Sequence, residues 1–311
     1  MTIRIGTRGS QLALWQANEV QRLLANAGHD AETVVVKTTG DRRQDVPLAA
    51  IGGKGLFIKE LEEALEQNAV DLAVHSLKDM PSLIPEQFAL AAFLERADPR
   101  DAWIQVDGRS IDDMPDGAII GTSAPRRRAQ LAQLYPRLQI ADIRGNVDTR
   151  IRKAREGQYA GLVLAAAGIT RLGRANEITS YFAIEEMLPA AGQGIVAIEC
   201  LAANHRMREL VRAINHEPSE TAARIERAVL ERFGERLDCY SPVAVHCYGV
   251  RWPQPPLSDA TSESGGYGHR TPYTVNALVC GVRAHAVGHG AEELIDTVYE
   301  QLIAQGAEKL L

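Results

Sequence analysis

The sequence predicts two α/β lobes with mainly parallel sheets and a small C-terminal α+β domain. A junction of apolar strand, Gly-Thr and helix occurs twice, at Ile3-Arg4-Ile5-Gly6-Thr7-Arg8 and at Ala118-Ile119-Ile120-Gly121-Thr122-Ser123. Helix and strand patterns alternate after each copy. From about Glu217 the order changes to helix, strand, strand, helix.

In the first copy the spacing predicts a helix over Ser10–Ala27, with Ala13, Ala17, Val20 and Leu24 on one face. A strand over Thr33–Lys37 and a turn at Thr39-Gly40-Asp41 follow. The next helix, Leu56–Gln67, aligns Phe57, Leu61, Ala64 and Leu65, and leads to a strand over Leu72–Ser76. The second copy repeats the order. It has a helix over Arg126–Leu134, a strand over Leu138–Ile143, a turn at Arg144-Gly145-Asn146, a helix over Val147–Glu156 and a strand over Gly161–Ala165. The strands are short, nearly continuous apolar runs, as expected where helices cover both faces.

Arg96 to Asp101 reads as a crossover between lobes, and Leu188-Pro189-Ala190-Ala191-Gly192-Gln193-Gly194 as the return hinge. The apolar run Ile195 to Ile198 then returns as a strand to the first lobe. The expected domains are therefore 1–95 with about 195–213, then 100–190, then 217–311. In the third, a helix over Glu220–Arg232, strands near Pro242–Val250 and Thr274–Val282, and a helix over Ala291–Ile303 are expected. Trp252 to Tyr273 reads as a solvated loop, longer than a hairpin requires.

The chain has 311 residues, 45% of them apolar, which suffices for several cores. Its net charge of −6 argues against a general nucleic-acid binder. The charge is uneven: residues 121–160 hold nine Lys/Arg against three acids, so this stretch is +6 and the remainder −12. A basic patch on an acidic protein points to a small anionic ligand. Arg152, Lys153 and Arg155 read as solvated helix surface. The chain enters a strand at once and has no run of about 18 apolar residues, so a cytoplasmic protein without membrane contact is expected. The four cysteines, 200, 239, 247 and 280, do not form a disulfide framework. Cys239, His246 and Cys247 lack a fourth ligand, and no metal site is expected.

The candidate chemistry lies at strand ends. First-turn N–H groups of a helix favour an anion. The second copy adds Arg126, Arg127 and Arg128 in the first helical turn. Gly52-Gly53-Lys54-Gly55-Leu56-Phe57 is either a mobile lid or an ordinary flexible loop. His75-Ser76-Leu77-Lys78-Asp79-Met80-Pro81 sits at the C-terminal end of an apolar strand, where open α/β sheets bind ligands. Its Ser, Lys and Asp can bind an anion and move a proton, although Asp79 also suits a turn before Pro81. Arg126, Arg127, Arg144, Arg150 and Arg171 lie near strand ends or helix starts. Each alone is an ordinary surface residue; together they suit a ligand with many carboxylates, each charge-assisted bond being worth roughly 1.5–3 kcal/mol. Cys239, on a loop, can be a nucleophile or an attachment point. Cys247 and Cys280 fall inside the expected strands and read as small apolar residues, as does Cys200.

Together these segments resemble the porphobilinogen deaminases, also called hydroxymethylbilane synthases, over nearly the whole chain. The resemblance rests on Gly6-Thr7-Arg8-Gly9-Ser10-Gln11-Leu12-Ala13-Leu14-Trp15-Gln16, the Gly-Gly-Lys-Gly-Leu-Phe segment and His-Ser-Leu-Lys-Asp-Met-Pro. It continues through Asp98-Pro99-Arg100-Asp101, Gly121-Thr122-Ser123, Arg144-Gly145-Asn146-Val147, Leu188-Pro189 and Gly192-Gln193-Gly194. It implies lobes like those of periplasmic binding proteins and a transferase of tetrapyrrole, porphyrin and haem biosynthesis. Such an enzyme condenses four porphobilinogen molecules head to tail, with loss of ammonia, to hydroxymethylbilane. The family primes the chain on a dipyrromethane cofactor held by a thioether; the matching position is Cys239. Asp79 matches the catalytic carboxylate, which can stabilise a cationic azafulvenium and shuttle protons. Lys78, Thr122, Ser123, Arg126, Arg127 and Arg144 match cofactor-binding positions. Arg8, Ser10, Lys54, Ser76, Arg150, Arg171 and Gln193 match substrate-binding positions. A monomer whose only partner is porphobilinogen is implied.

The chain departs from the family's pattern at Leu237-Asp238, where many members have Gly-Gly before the cysteine. It has Ala50 where some relatives carry a lysine before the lid, and Asp148 where a smaller residue is common, near the anion site. Two other classes share parts of the pattern. A solute-binding receptor also closes two α/β lobes on an anion, but gains little from Asp79 among basic groups. A transcription-factor effector domain would follow a helix-turn-helix, and none is evident.

Overall fold

The computed structural model describes residues 2–38, 58–237, 241–249 and 272–310. The expected turn at 39–41, the Gly-rich segment with Lys54, Phe57, Cys239 and most of the 252–273 loop lie outside the described residues.

The first lobe begins with β1 (Ile3–Thr7), α1 (Gln11–Asn26) and β2 (Ala31–Val35), and continues with α2 (Lys59–Glu66), β3 (Leu72–Ser76) and β4 (Phe88–Phe93). Ala13, Ala17, Val20 and Leu24 of α1 are buried, as their spacing requires. Ser10 caps the helix by accepting a bond from the Ala13 N–H at 3.3 Å. β2 starts two residues earlier than expected because it pairs along all of β1, Ile3 opposite Ala31 and Thr7 opposite Val35.

The second lobe holds β5 (Asp101–Ile104), β6 (Ile119–Gly121), α3 (Pro125–Leu134), β7 (Gln139–Ala141), α4 (Val147–Arg155), β8 (Gly161–Ala165), α5 (Ala166–Arg171) and β9 (Ser180–Tyr181). The chain then crosses back as β10 (Val196–Leu201). The two sheets run β2-β1-β3-β10-β4 and β7-β6-β8-β5-β9. In each, three strands pair in parallel, and the last two add in antiparallel fashion. The sheets are thus mixed, with the parallel part at the duplicated units.

The crossing segments touch at Gly194, where φ is +89° and a Cβ would meet the Ala97 carbonyl oxygen at 2.4 Å. Only glycine fits there. After α6 (His205–Val211), helix α7 (Glu217–Glu231) leads to β11 (Val243–Gly249), β12 (Tyr273–Val279), β13 (Val282–Gly288) and α8 (Ala291–Ala304). The C-terminal unit therefore has three antiparallel strands where the sequence predicts two. The expected second strand breaks at Cys280-Gly281, both with positive φ (49° and 91°), which makes a two-residue hairpin. Cys280 lies on that turn and not inside a strand.

A buried ion pair ties this unit to the crossovers. Glu226 of α7 takes both Arg96 guanidinium nitrogens at 2.7 and 2.8 Å and the N–H groups of Gly192 and Cys247. Burial alone would raise its carboxyl, but Arg96 and His246 hold it down at about 2. No helix among the described residues is long and apolar enough to cross a membrane.

Candidate active site

The site begins at the end of β3. Leu77 to Asp79 form one 3-10 turn, fixed by Leu77 N–H to the Ile195 carbonyl (3.0 Å) and Met80 N–H to the Leu77 carbonyl (3.0 Å). Leu77 and Met80 are buried beneath it, which leaves Lys78 half-buried and Asp79 exposed. Gln16 of α1, itself buried, donates to the Ser76 hydroxyl at 2.7 Å. Ser10 and Arg8 are half-buried at the neighbouring β1–α1 junction.

The second lobe meets this turn with cations. Burial lowers the Lys78 ammonium to about 8, helped by Arg127 and Arg126 and opposed by Asp79 and Asp101. Burial likewise lowers Arg150 to about 10, with Arg127 and Arg144 acting in the same direction and Asp79 against them. Lys78, Asp79, Arg126, Arg127, Arg144 and Arg150 therefore share one field. With Asp101 the group holds five cations and two carboxylates, a net positive site around one exposed carboxylate.

Arg126 and Arg127 are not the open forks the sequence suggests. Both are 5% exposed and both bind Asp101 of β5, which is fully buried. Arg126 Nη1 reaches Asp101 Oδ2 at 2.7 Å and the Leu188 carbonyl at 2.6 Å. Arg127 reaches Asp101 Oδ1 through Nη2 at 2.8 Å and Nε at 3.0 Å. Burial would raise the Asp101 carboxyl, but the two guanidiniums hold it far below the usual range. Asp101, read from sequence as the end of a crossover, is thus the anchor of the arginine pair. Its only sequence signal was a carboxylate in the Asp-Pro-Arg-Asp segment.

Three further expectations change. Gln193, expected on substrate, is fully buried; its amide donates to the Pro99 carbonyl (2.6 Å) and Asp101 Oδ1 (2.9 Å), and its oxygen accepts from Arg126 at 3.4 Å. It belongs to the wall behind the site, because every polar atom of its side chain is already engaged. Arg171 stands apart from the cationic group. Its Nη2 donates to the Gly194 carbonyl at 2.7 Å, its guanidinium lies 5.3 Å from the Trp15 ring centroid, and burial lowers it to about 10 against the pull of Glu19. Asp148 is turned away to Arg174, which also binds Glu177.

Thr122 is buried at the β6–α3 junction, where its hydroxyl accepts from Ala124 N–H at 3.4 Å; Ser123 beside it is half-buried. α3 has no side-chain cap: Ala124 stands at its N-cap and Pro125 follows. Arg150 Nε donates to the Gly145 carbonyl at 2.7 Å, which fixes the Arg144-Gly145-Asn146 turn against α4. Cys247 is buried in the C-terminal core and Cys200 in the first lobe; burial pushes the Cys200 thiol up to about 11 and the Cys247 thiol higher still. Neither offers a thiolate at neutral pH.

This arrangement suits a polyanion held by fixed cations beside a carboxylate that can meet a positive charge. Comparison with known proteins identifies the family. The family described as porphobilinogen deaminase, dipyromethane cofactor binding domain, matches residues 3–209. The porphobilinogen deaminase of Syntrophotalea carbinolica is 43% identical over 311 residues, covering 99% of this chain and 95% of its own. That of Desulfitobacterium hafniense is 50% identical over 233 residues, covering 74% of this chain and 76% of its own. Among solved structures, the methionine binding protein MetQ covers 68% of this chain and 89% of its own at 14% identity, with a TM-score of 0.45. The chain belongs to the porphobilinogen deaminase family.

Proposed function

We propose that this chain polymerises porphobilinogen to hydroxymethylbilane as a cytoplasmic monomer, with Asp79 as its catalytic carboxylate and Cys239 as the attachment point of the cofactor. The observation that supports it best is the exposed Asp79 set among Lys78, Arg127, Arg144 and Arg150. The cationic group fits a dipyrromethane, whose carboxylates need several fixed positive charges. When bound, that cofactor supplies the primer to which substrate units are joined.

Lys78, Arg144 and Arg150 bind carboxylates of cofactor, chain and substrate. Arg126 and Arg127, held by Asp101, act as a rigid positive wall and orient whatever Lys78 and Arg150 hold. Ser123 presents its hydroxyl at the start of α3, and Thr122, buried behind it, fixes that turn by accepting from the Ala124 N–H. On the first lobe, Arg8, Ser10 and Ser76 lie at the neighbouring strand ends, and Lys54 binds substrate with them. Asp79 stabilises the substrate cation that forms as ammonia leaves, gives a proton to the leaving nitrogen and later takes one from the pyrrole. Gln193 positions the wall. Arg171 holds the hinge segment through the Gly194 carbonyl.

Intact mass spectrometry tests the reading directly. The purified protein should weigh the polypeptide plus two pyrrole units, Cys239→Ser should lose that addition, and the loaded protein should convert porphobilinogen to hydroxymethylbilane. An adduct that maps to Cys247, or a protein that binds polycarboxylates without turnover, would refute it.

A further inference from the structure

The turn that presents Lys78 and Asp79 is short, and its only internal hydrogen bond between backbone groups is Met80 N–H to Leu77 O. Its rigidity must come from its flanks. Before it, His75 Nε2 lies 3.0 Å from Glu199 Oε2 of β10, with both side chains buried. After it, Arg227 of α7 donates from Nη2 to the Ser82 carbonyl at 2.6 Å. One helical turn before Arg227, Ala223 packs with Leu77, Met80, Ile195 and Ala197 beneath the same segment. Burial lowers the Arg227 guanidinium, which is only 9% exposed, against the pull of Glu231 and Glu199. The two anchors, one on β10 and one on α7, therefore hold residues 75–82 at both ends.

The second lobe shows that the fold does not need the His75–Glu199 pair. Gly6 pairs with Ala73 as Gly121 pairs with Leu162, which aligns β3 with β8. His75 opposes Ala197 and Ala73 opposes Glu199; in the second lobe Leu164 opposes Ala102 and Leu162 opposes Ile104. The positions of His75 and Glu199 are thus Leu164 and Ile104, both buried in hydrocarbon. Buried charge is costly and a well-packed apolar pair is commonly as stable. At these two strand positions the charged pair occurs in the first lobe and hydrocarbon in the second, which points to a reason other than stability. A displacement of about 1 Å at a reacting group can cost about a hundredfold in rate.

We propose that Glu199 and Arg227 are positioning residues for the reaction: from beneath the sheet they clamp His75 and Ser82, and so fix Asp79 in the cleft. The inference rests on the reading of Asp79 as the catalytic carboxylate. It also gives the C-terminal domain a part in the chemistry, because Arg227 reaches the first lobe from that domain.

The test uses the full-length, cofactor-loaded protein and the variants Arg227→Met, Arg227→Lys, Glu199→Gln and Asp79→Asn. Arg227→Met keeps the stem and loses the donor. It should retain the cofactor mass and hold KM for porphobilinogen within about twofold, while kcat falls about tenfold or more. Arg227→Lys should recover most of kcat, because an ammonium still reaches the Ser82 carbonyl. Glu199→Gln keeps the contact with His75, removes the charge facing Arg227, and should lower kcat severalfold at unchanged KM. A normal kcat in folded, loaded Arg227→Met or Glu199→Gln overturns the inference. So does a change confined to KM, or a lysine variant as slow as the methionine variant. If Arg227→Met does not fold, the lysine and glutamine variants decide alone. Normal turnover of Asp79→Asn would instead overturn the underlying reading, whereas a slow Asp79→Asn beside a normal Arg227→Met sinks only the positioning role.

Discussion

At the ends of β3 and β8, equivalent strands of the two lobes, the sequences are Ser76-Leu77-Lys78-Asp79 and Ala165-Ala166-Ala167-Gly168. One end turns through a single 3-10 turn and exposes a carboxylate; the other runs straight into α5. The neighbouring strands differ in the opposite sense. Val196 of β10 opposes Ser76, and Asp101 of β5 opposes Ala165. The duplicated scaffold therefore puts an exposed carboxylate on the first lobe and a buried carboxylate with two arginines on the second. The Gly-Thr junctions are alike, but α1 is capped by Ser10 while α3 has Ala124 at its N-cap. The two copies thus keep the strand, Gly-Thr and helix junction and differ in the charges they set beside it.

The largest test of this difference removes the second lobe's anchor. Asp101→Ala leaves Arg126 and Arg127 buried beside each other without a counter-charge, and should cost about 3–5 kcal/mol. The equivalent Val196→Ala in the first lobe removes two buried methyl groups at about 0.8 kcal/mol each, with a small cavity penalty in addition. Urea unfolding of both variants compares them. If Asp101→Ala costs no more than Val196→Ala, the arginine pair is not held as described. For the same reason Arg126→Leu and Arg127→Leu, which look from sequence like pure binding variants, should also lower stability.

The next test concerns rate. Asp79→Asn keeps the shape and removes charge and proton transfer. A receptor for a polycarboxylate should bind more tightly after this change, because a negative charge is gone. A catalyst that passes through a cation should keep its pyrroles and turn over at least roughly a hundredfold more slowly. Near-normal formation of hydroxymethylbilane would end the assignment of Asp79 while leaving the family intact.

Much of this difference was legible in the sequence, and the limits have physical causes. The Gly-Thr junctions and the helix faces were readable because period and turn chemistry are local. Lys78, Asp79, Arg144 and Arg150 could be picked out because each sits at a strand end or helix start, and their charges act on one another in the structure. Asp101 was missed because its role depends on a partner 25 residues away, which no local pattern records. Gln193 was misplaced for the same reason: its amide points inward to Pro99 and Asp101. β4 was not among the expected strands, although Phe88–Phe93 is an apolar run of the same kind as the others. β13 was hidden because its hairpin uses Cys280-Gly281, where Asn-Gly or Asp-Gly would have announced the turn. The His75–Glu199 pair was invisible because the two residues are 124 positions apart.

A third test uses pH. Burial and the neighbouring arginines bring Lys78 down to about 8, so it loses its charge as pH rises through that value. In Cys239→Ser, which lacks the proposed attachment point, affinity for a tetracarboxylate should fall by up to about tenfold per unit above pH 8. Lys78→Met should bind more weakly at pH 7 and show no such slope. For stability the sign is opposite. Between about pH 8 and the ordinary lysine value of 10.5 the unfolded chain binds more protons, so this group adds stability as pH rises. A slope that persists in Lys78→Met would assign the titration to another group.

The smallest effect separates the two helix starts. Ser10 accepts from Ala13 N–H and so satisfies one first-turn donor of α1. Ser10→Ala should therefore cost about 1 kcal/mol, read from the urea midpoint. Ala124 has the extended backbone of an N-cap, φ −86° and ψ 117°, but no side-chain acceptor. Ala124→Ser supplies one and should stabilise the free protein by up to about 1 kcal/mol. If the open N–H groups of α3 also receive a carboxylate, the new hydroxyl competes for them. Ala124→Ser should then weaken binding of the same tetracarboxylate while it stabilises the fold. A variant that gains stability and binds with unchanged affinity would show that the start of α3 takes no part in holding the anion, and would leave that task to Lys78, Arg144 and Arg150.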